Sequence, residues 1–356
     1  MVVLALVSAG GLVVDDRVLV GSPIWFKPFK FAVSLVAYAL SLAWLLSLFP
    51  PGRRQRVSRR AGTVVAVTST IEMVIIVGQV IRGRRSHFNH ETPLDDALFN
   101  TMAVSIVALW LATLVIAVLL LRTRITDRAS AWAMRSGIAL ALAGAAVGFL
   151  MTQPAPGQQR EGSKVVGAHS VGVPDGGPAM PLTGWSTTGG DLRIPHFFGM
   201  HALQLLPLAV MVLAALAPRL PRLRDGGVRL RLVQVASATY AATFALLTWQ
   251  ALRGQPLLRP DGMTLGVTGV VAVGAVVGAW VAVRRSTSGH PGLVGPGRAG
   301  HEGAGPVGDE GAFAVGGEGA GPVGGEGAGP VGGEGVGPVD AEGAGQVGGN
   351  QAEMVA

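Results

Sequence analysis

Between Gln79 and Asp96 the chain packs two histidines, three arginines, three acids and two amides into eighteen residues, with long apolar runs on both sides. A plain connector between membrane helices has no need of so many groups able to bind protons, metals or anions. The spacing His87-Phe88-Asn89-His90 lets two imidazoles meet one metal ion if the segment is helical or tightly turned. Glu91, Asp95 or Asp96 would then complete the shell. The signature is weak, because strong zinc motifs fix more positions, and a solvated loop explains the same residues. Thr92-Pro93-Leu94-Asp95-Asp96 also reads as the start of a helix, with Thr92 as N-cap, Pro93 at the first helical position and acids in the first turn.

A second cluster runs from Gly190 to Gln204. It contains Asp191, Arg193, Pro195, His196, Phe197, Phe198, Met200, His201 and Gln204. Pro195 suits a helix start, which places His201 more than a turn inside with Gln204 beside it. His196 and His201 are five residues apart, about 140° around a helix, so one ion does not take both. A single inward imidazole could serve instead as an axial haem ligand, with the aromatic residues as apolar wall. The competing readings are an interfacial aromatic belt and a hydrogen-bonded structural cluster.

Glu72 is the third candidate. It lies near the middle of an apolar run, where a charged, unpaired carboxylate costs several kcal/mol. It must face the bundle interior and be protonated or partnered, as a proton relay, a cation ligand or a hydrogen-bonded neutral acid. Gln79 stands two turns further on the same face. Gln79-Val80-Ile81-Arg82-Gly83 is echoed by Gln250-Ala251-Leu252-Arg253-Gly254, which suggests a four-plus-four repeat with the site at the repeat interface. Trp25-Phe26-Lys27-Pro28-Phe29-Lys30-Phe31 reads as a headgroup-level anchor. Alternatively, Lys27 or Lys30 lines the site and binds an anionic ligand.

These residues are positioned by helices in a bilayer. The chain is 49% hydrophobic and 14% charged, against roughly 25% charged in soluble domains, and its mean hydropathy is +0.48. Apolar runs at about 31–49, 61–81, 98–121, 131–151, 197–217, 232–252 and 264–283 each suit a transmembrane helix. Met1–Val14 covers only about 21 Å, short of the hydrocarbon core, and counts as a weak eighth span. The expected fold is an all-α polytopic transmembrane helix bundle of seven or eight spans over residues 1–285.

Arginines crowd alternate loops, at 53–60, 122–128, 219–231 and 284–285. The positive-inside bias sets these in the cytoplasm, and the histidine-bearing loops and Glu72-side helix ends at the non-cytoplasmic face of the cell membrane. The C-terminus is then cytoplasmic. Residues 286–356 carry nine acids and one arginine, leaving 12 acids and 27 basic residues, or +15, for the rest. That basic excess lies in short membrane loops, so a nucleic-acid role is not expected. From Glu302 to Glu342 a glutamate recurs every eight residues within Gly/Ala/Pro/Val repeats. Such a composition predicts a disordered tail, with a cytoplasmic docking partner as its one functional reading.

Taken together, the 25–31 segment, Ser86-His87-Phe88-Asn89 with Thr92-Pro93-Leu94-Asp95, and Gly190-Asp191-Leu192-Arg193 running into His196–Gln204 resemble a family of uncharacterised bacterial multi-pass integral membrane proteins. The likeness covers about residues 15–260. It implies the membrane architecture and no reaction.

There is no cysteine, which excludes thiolate and iron–sulfur chemistry and C-x-x-C-H haem attachment. No nucleotide-binding loop, zincin motif or nucleophile elbow is present. Three functional classes remain. One is a redox protein holding haem or a divalent metal through His87, His90, His196 and His201, with Glu72 as proton relay and Asn89, Asp95, Asp191 and Arg193 in support. Another is a cofactor-free proton-coupled carrier using Glu72, Gln79, Gln204 and Gln250. The last is a non-catalytic membrane protein whose polar residues fix helix packing.

Overall fold

The computed structural model describes residues 1–159 and 162–284. The repeat tail for which the sequence predicts disorder lies outside the described residues. Eight α-helices carry the described fold: α1 (Val2–Val14), α2 (Phe26–Ser47), α3 (Arg53–Ile81), α4 (Pro93–Leu121), α5 (Arg128–Met151), α6 (Arg193–Leu216), α7 (Gly226–Leu252) and α8 (Gly262–Arg284). The seven from α2 to α8 are long and apolar enough to cross a membrane. The chain is a multi-pass helical membrane protein. α1 is thirteen residues long, about 20 Å, and lies against α2.

Each spanning helix is longer than its apolar run, and at α4, α5 and α7 a capped polar turn begins the extension. At α4 the Thr92 hydroxyl accepts from the Asp95 backbone N–H at 3.1 Å, with Pro93 in the first turn, as the sequence predicts. Asp127 caps α5 through Ser130 N–H at 2.7 Å, and Asp225 caps α7 through Gly227 N–H at 2.7 Å. These side chains satisfy N–H groups that a helix start leaves without a partner.

Two helix ends are built alike. At the end of α3, Gly83 adopts φ +68° and Arg84 N–H donates to Gln79 O at 2.8 Å. At the end of α7, Gly254 adopts φ +71° and Gln255 N–H donates to Gln250 O at 3.2 Å. Both are the same glycine-terminated cap, which needs a left-handed residue at that point. In each, the arginine before the glycine reaches an acid at the start of the next helix: Arg82 to Asp95 at 2.7 Å and Arg253 to Asp261 at 2.6 Å.

α2 packs on α3, α3 on α4, α4 on α5 and α5 on α6, and α6 returns to α2, closing a five-helix ring. α7 lies outside it against α5 and α6, and α8 packs on α7. On α8, Val270, Val273, Val276 and Val277 are exposed, as a lipid-facing helix requires. Two short antiparallel pairs, Val18–Leu19 with Ser22–Pro23 and Ser170–Val171 with Gly190–Asp191, precede α2 and α6 at one end of the ring.

α5 and α6 make the closest helix pair. A Cβ at Gly144 would stand 2.5 Å from Met200 N and 2.6 Å from Gly199 Cα, and one at Gly137 would stand 2.9 Å from Ala202 O. The two backbones touch, an arrangement that small residues make possible in lipid. Gly144→Val is therefore expected to destabilise the bundle by about 3 kcal/mol. Gly78→Ala, on an open face of α3, is expected to be neutral or to stabilise by up to about 1 kcal/mol. Thermal unfolding in detergent with size-exclusion profiles checks both, and a wild-type midpoint for Gly144→Val would refute the contact's importance.

Candidate functional site

The ring encloses a cavity of about 520 Å³, within the range of small-molecule and cofactor sites. α2 presents Lys27, Lys30, Phe31, Ser34, Leu35 and Tyr38 to it, a helical stripe eleven residues long, or about 16 Å of depth. At the deep end the Tyr38 hydroxyl meets Thr113 Oγ1 at 2.5 Å, and Trp110 Nε1 donates to Leu142 O at 3.0 Å, tying α4 to α5. At the shallow end the loop between α5 and α6 lies over the opening. Lys30 Nζ donates to Thr183 O at 2.8 Å, and Arg193 Nη2 donates to Gly184 O at 2.6 Å.

Four histidines line this cavity: His87, His169, His196 and His201. Three have a ring nitrogen tied to an acceptor. His169 Nδ1 lies 2.8 Å from Asp175 Oδ2, His196 Nδ1 2.8 Å from Gly144 O, and His201 Nδ1 3.3 Å from Gln204 Oε1. Carboxylates and carbonyls only accept, so Nδ1 carries the proton in each and Nε2 keeps its lone pair. Such a fixed tautomer is how proteins orient an imidazole that must act as ligand or base. Gly148 makes room for one of them, because a Cβ there would lie 3.1 Å from His196 Cε1.

His87 sits among Phe31, Phe88 and Phe99, at ring-centre distances of 5.9, 6.0 and 6.4 Å. Burial, with the nearby charge of Lys27 and the other histidines, holds its imidazole well below the ordinary value of 6.5. Burial also lowers His169, against the opposing hydrogen bond from Asp175. Burial pushes Asp175 up, but the His169 ring and the His169 and Ser170 backbone N–H groups more than offset this and hold it well below 3.8.

No family profile, curated protein or solved structure matches the chain. The site is therefore read from its own geometry.

That geometry separates His87 from His90. Residues 88–90 pair in extended form with the far loop: Val166 N–H donates to Phe88 O, Asn89 bridges to Val165, and His90 N–H donates to Lys164 O at 2.9 Å. Phe88 itself takes φ +62°, rare for a bulky side chain and costly by about 1–3 kcal/mol. His87 lines the cavity and His90 does not: its Nδ1 meets Asp96 at 2.5 Å, and its Nε2 is buried without a hydrogen-bond partner among the described residues. The two imidazoles do not share a metal ion. Among the described residues no group of three or more His, Asp or Glu side chains is placed to hold one.

The expected supporting residues divide. Asp95 is buried beneath Gln79, Arg82 and Thr92 and clips α3 to α4. Gln79 belongs to that clip, and Gln250 Nε2 donates to Pro256 O at 2.9 Å at the matching end of α7. Neither glutamine lines the cavity, so both are removed from a central path. Asn89 holds its own loop through Arg85 O and Glu91 N–H. Asp191 anchors Arg193 and accepts from Ser186 N–H at 2.8 Å. Gln204 and Arg193 do face the cavity, as does Glu72, whose two carboxylate oxygens are buried without a hydrogen-bond partner. Topology sets His169 at the same face as the other histidines, but nothing in the sequence joins it, Asp175, Tyr38 or Trp110 to the site. The first two lie six residues apart in an irregular loop, with no periodic signal to join them.

The lowered imidazoles fix a pH response. Below pH 6.5 the unfolded chain takes up protons that folded His87 and His169 refuse, so stability falls with falling pH, by up to about 1.4 kcal/mol per pH unit for each group. Above that pH their contribution is constant. Asp175, held below its ordinary value, adds stability that is lost only as the pH falls below 3.8. The unfolding midpoint is expected to drop between pH 7 and 5, and less so in His87→Gln. A flat midpoint over that window would show the imidazoles to be solvated.

Proposed function

We propose that this chain is a multi-pass membrane protein that holds haem in the ring cavity and serves a one-electron redox role. The observation that carries the reading is a set of cavity imidazoles with Nδ1 committed to a protein acceptor and Nε2 left free. His196, set by Gly144 O, and His169, set by Asp175, are the residues that would hold the haem, with His87 and His201 beside them. The walls are apolar and aromatic, as haem requires, and Lys27, which has no hydrogen-bond acceptor among the described residues, is a cation suited to a propionate. Bound haem would supply iron's electron transfer; the chain's part is to fix the imidazoles and exclude water. Glu72, at the cavity wall without a partner, is the candidate proton relay. The positive-inside bias sets the shallow end of the cavity at the non-cytoplasmic face and the C-terminus in the cytoplasm.

Glu72 also favours a second reading, a cofactor-free proton-coupled carrier, because an unpartnered carboxylate facing a cavity is a natural proton-binding group in a membrane. The two separate in one preparation. The haem reading expects a Soret band in purified or haemin-reconstituted protein at about one haem per chain. His196→Ala should lose it by about tenfold or more, with Asp175→Asn weakening it less. Protein that stays colourless after haemin addition refutes that reading. The carrier reading then requires that a proton-coupled flux in liposomes collapse in Glu72→Gln.

A further inference from the structure

We infer that the cavity takes its occupant from the bilayer, through the gap between α4 and α5, and seats it by an anionic group against Lys27. Its ligand class is an apolar amphiphile bearing a carboxylate. The inference rests on the reading of this cavity as the ligand site and does not require iron.

The opening is seen in residues that belong to two surfaces at once. Ala103, Ile106 and Val107 of α4 line the cavity and are exposed on the outside of the bundle. Facing them, Ala145, Gly148, Phe149 and Thr152 of α5 line it too. The Trp110–Leu142 bond pins the two helices together at the deep end. Above that pin the two helices face each other across Ala103, Ile106 and Val107 on one side and Ala145, Gly148 and Phe149 on the other, and Phe99 packs on the cluster of Val147 and Met151 at the shallow end. Phe149 lies edge-on to Trp110 at 6.3 Å and is the side chain best placed to swing across the gap. An opening at that depth faces hydrocarbon, so what passes through it is dissolved in the membrane.

The charge at the shallow end names the polar part of the occupant. Five cations line the cavity, Lys27, Lys30, Arg84, Arg85 and Arg193, against two acids, Glu72 and Asp175. Three of the cations are already committed, Lys30 to Thr183 O, Arg84 to Glu91 and Arg193 to Asp191. Asp175 is likewise committed to His169. Lys27 has the face of Phe31, with Nζ 5.8 Å from the ring centre, and is drawn by the charge of Glu72 across the cavity, but meets no hydrogen-bond acceptor among the described residues. An ammonium that faces an apolar cavity with a carboxylate at a distance and no hydrogen-bond acceptor on it leaves its donors open to an anionic group that arrives with the ligand. Two sources offer that chemistry: the propionates of haem, and the head of a long-chain carboxylic acid.

The test compares carboxylates with their esters on the full chain in nanodiscs. A diazirine-tailed fatty acid and its methyl ester form one arm; haemin and haemin dimethyl ester form the other. Wild type is expected to prefer the acid of at least one pair by about tenfold, the size of one charge-assisted hydrogen bond. Lys27→Met should abolish the preference and Lys27→Arg retain it. The fatty-acid tail should crosslink at Ala103–Val107 and Ala145–Phe149. Ala103→Trp, on a lipid-exposed position, should slow uptake about tenfold without moving the unfolding midpoint. Equal binding of acid and ester by wild type overturns the inference without any variant, as does unchanged uptake in Ala103→Trp. Colourless protein that captures the fatty acid through Lys27 upholds this inference and ends the haem reading. Haem-loaded protein indifferent to esterification does the reverse.

Discussion

The backbone contact between Gly144 on α5 and Gly199 on α6 governs the geometry of the ring. Between helices in lipid there is little hydrophobic gain from association, because acyl chains are as apolar as leucine; close packing and interhelical hydrogen bonds must supply the attraction. Removing both side chains lets the two helices touch along Gly137, Gly144 and Ala202. At that separation, and no wider one, His196 Nδ1 reaches the Gly144 carbonyl at 2.8 Å. The tight α5–α6 seam and the orientation of the imidazole are thus one event. Tyr240, whose hydroxyl donates to Phe198 O at 2.6 Å, and Phe244 brace the seam from α7.

A ring of five helices cannot be equally tight at every joint without filling its centre, and here α4 meets α5, and α2 meets α6, far more lightly than α5 meets α6. Trp110 ties the α4–α5 joint through Leu142 O. Large side chains hold the remaining walls apart: Phe31 and Tyr38 on α2, Phe99 and Trp110 on α4. The loop over the shallow end works by charge rather than by packing. Its carbonyls at Thr183 and Gly184 accept from Lys30 and Arg193, and its Asp175 accepts from His169 and two backbone N–H groups. A segment rich in Gly, Pro and Ser, with little apolar surface to bury, is fixed by cations from the helix starts beneath it. Breaking one of those contacts would release the lid locally while leaving the ring intact.

The spanning helices, the Thr92 cap of α4 and the buried carboxylate were readable from residue order, because each depends on neighbours close in sequence. An apolar run of about twenty residues, or Thr92 followed by Pro93 and Asp95, carries its own local physics. The pairing of His87 with His90 failed for a reason outside that range. The segment 88–90 is drawn into extended pairing with residues 164–166, some 75 positions away, and Phe88 is forced into a left-handed turn to permit it. The same long loop delivers His169 and Asp175, which no spacing rule could have joined to the site. Gln79 and Gln250 show the opposite error. Their depth suggested a polar path, but a glutamine one turn from a helix end is as well used in tying that end to the next helix.

The echo between the ends of α3 and α7 bears on where the cavity lies. Dividing the chain between α4 and α5 gives two halves of four helices, each with a glycine-capped third helix whose arginine reaches the acid at the start of the fourth. The cavity draws Lys27, Glu72 and His87 from the first half and His169, His196 and His201 from the second. Its lining therefore comes from both halves. The likeness stops where chemistry begins. Seven residues before Gln79 stands Glu72, facing the cavity without a partner; seven before Gln250 stands Thr243, whose hydroxyl is satisfied by Thr239 O at 2.9 Å. α3 belongs to the ring and α7 does not, so only α3 can present a carboxylate to the enclosed space. Position in the ring, rather than the shared hairpin, decides which half carries the acid.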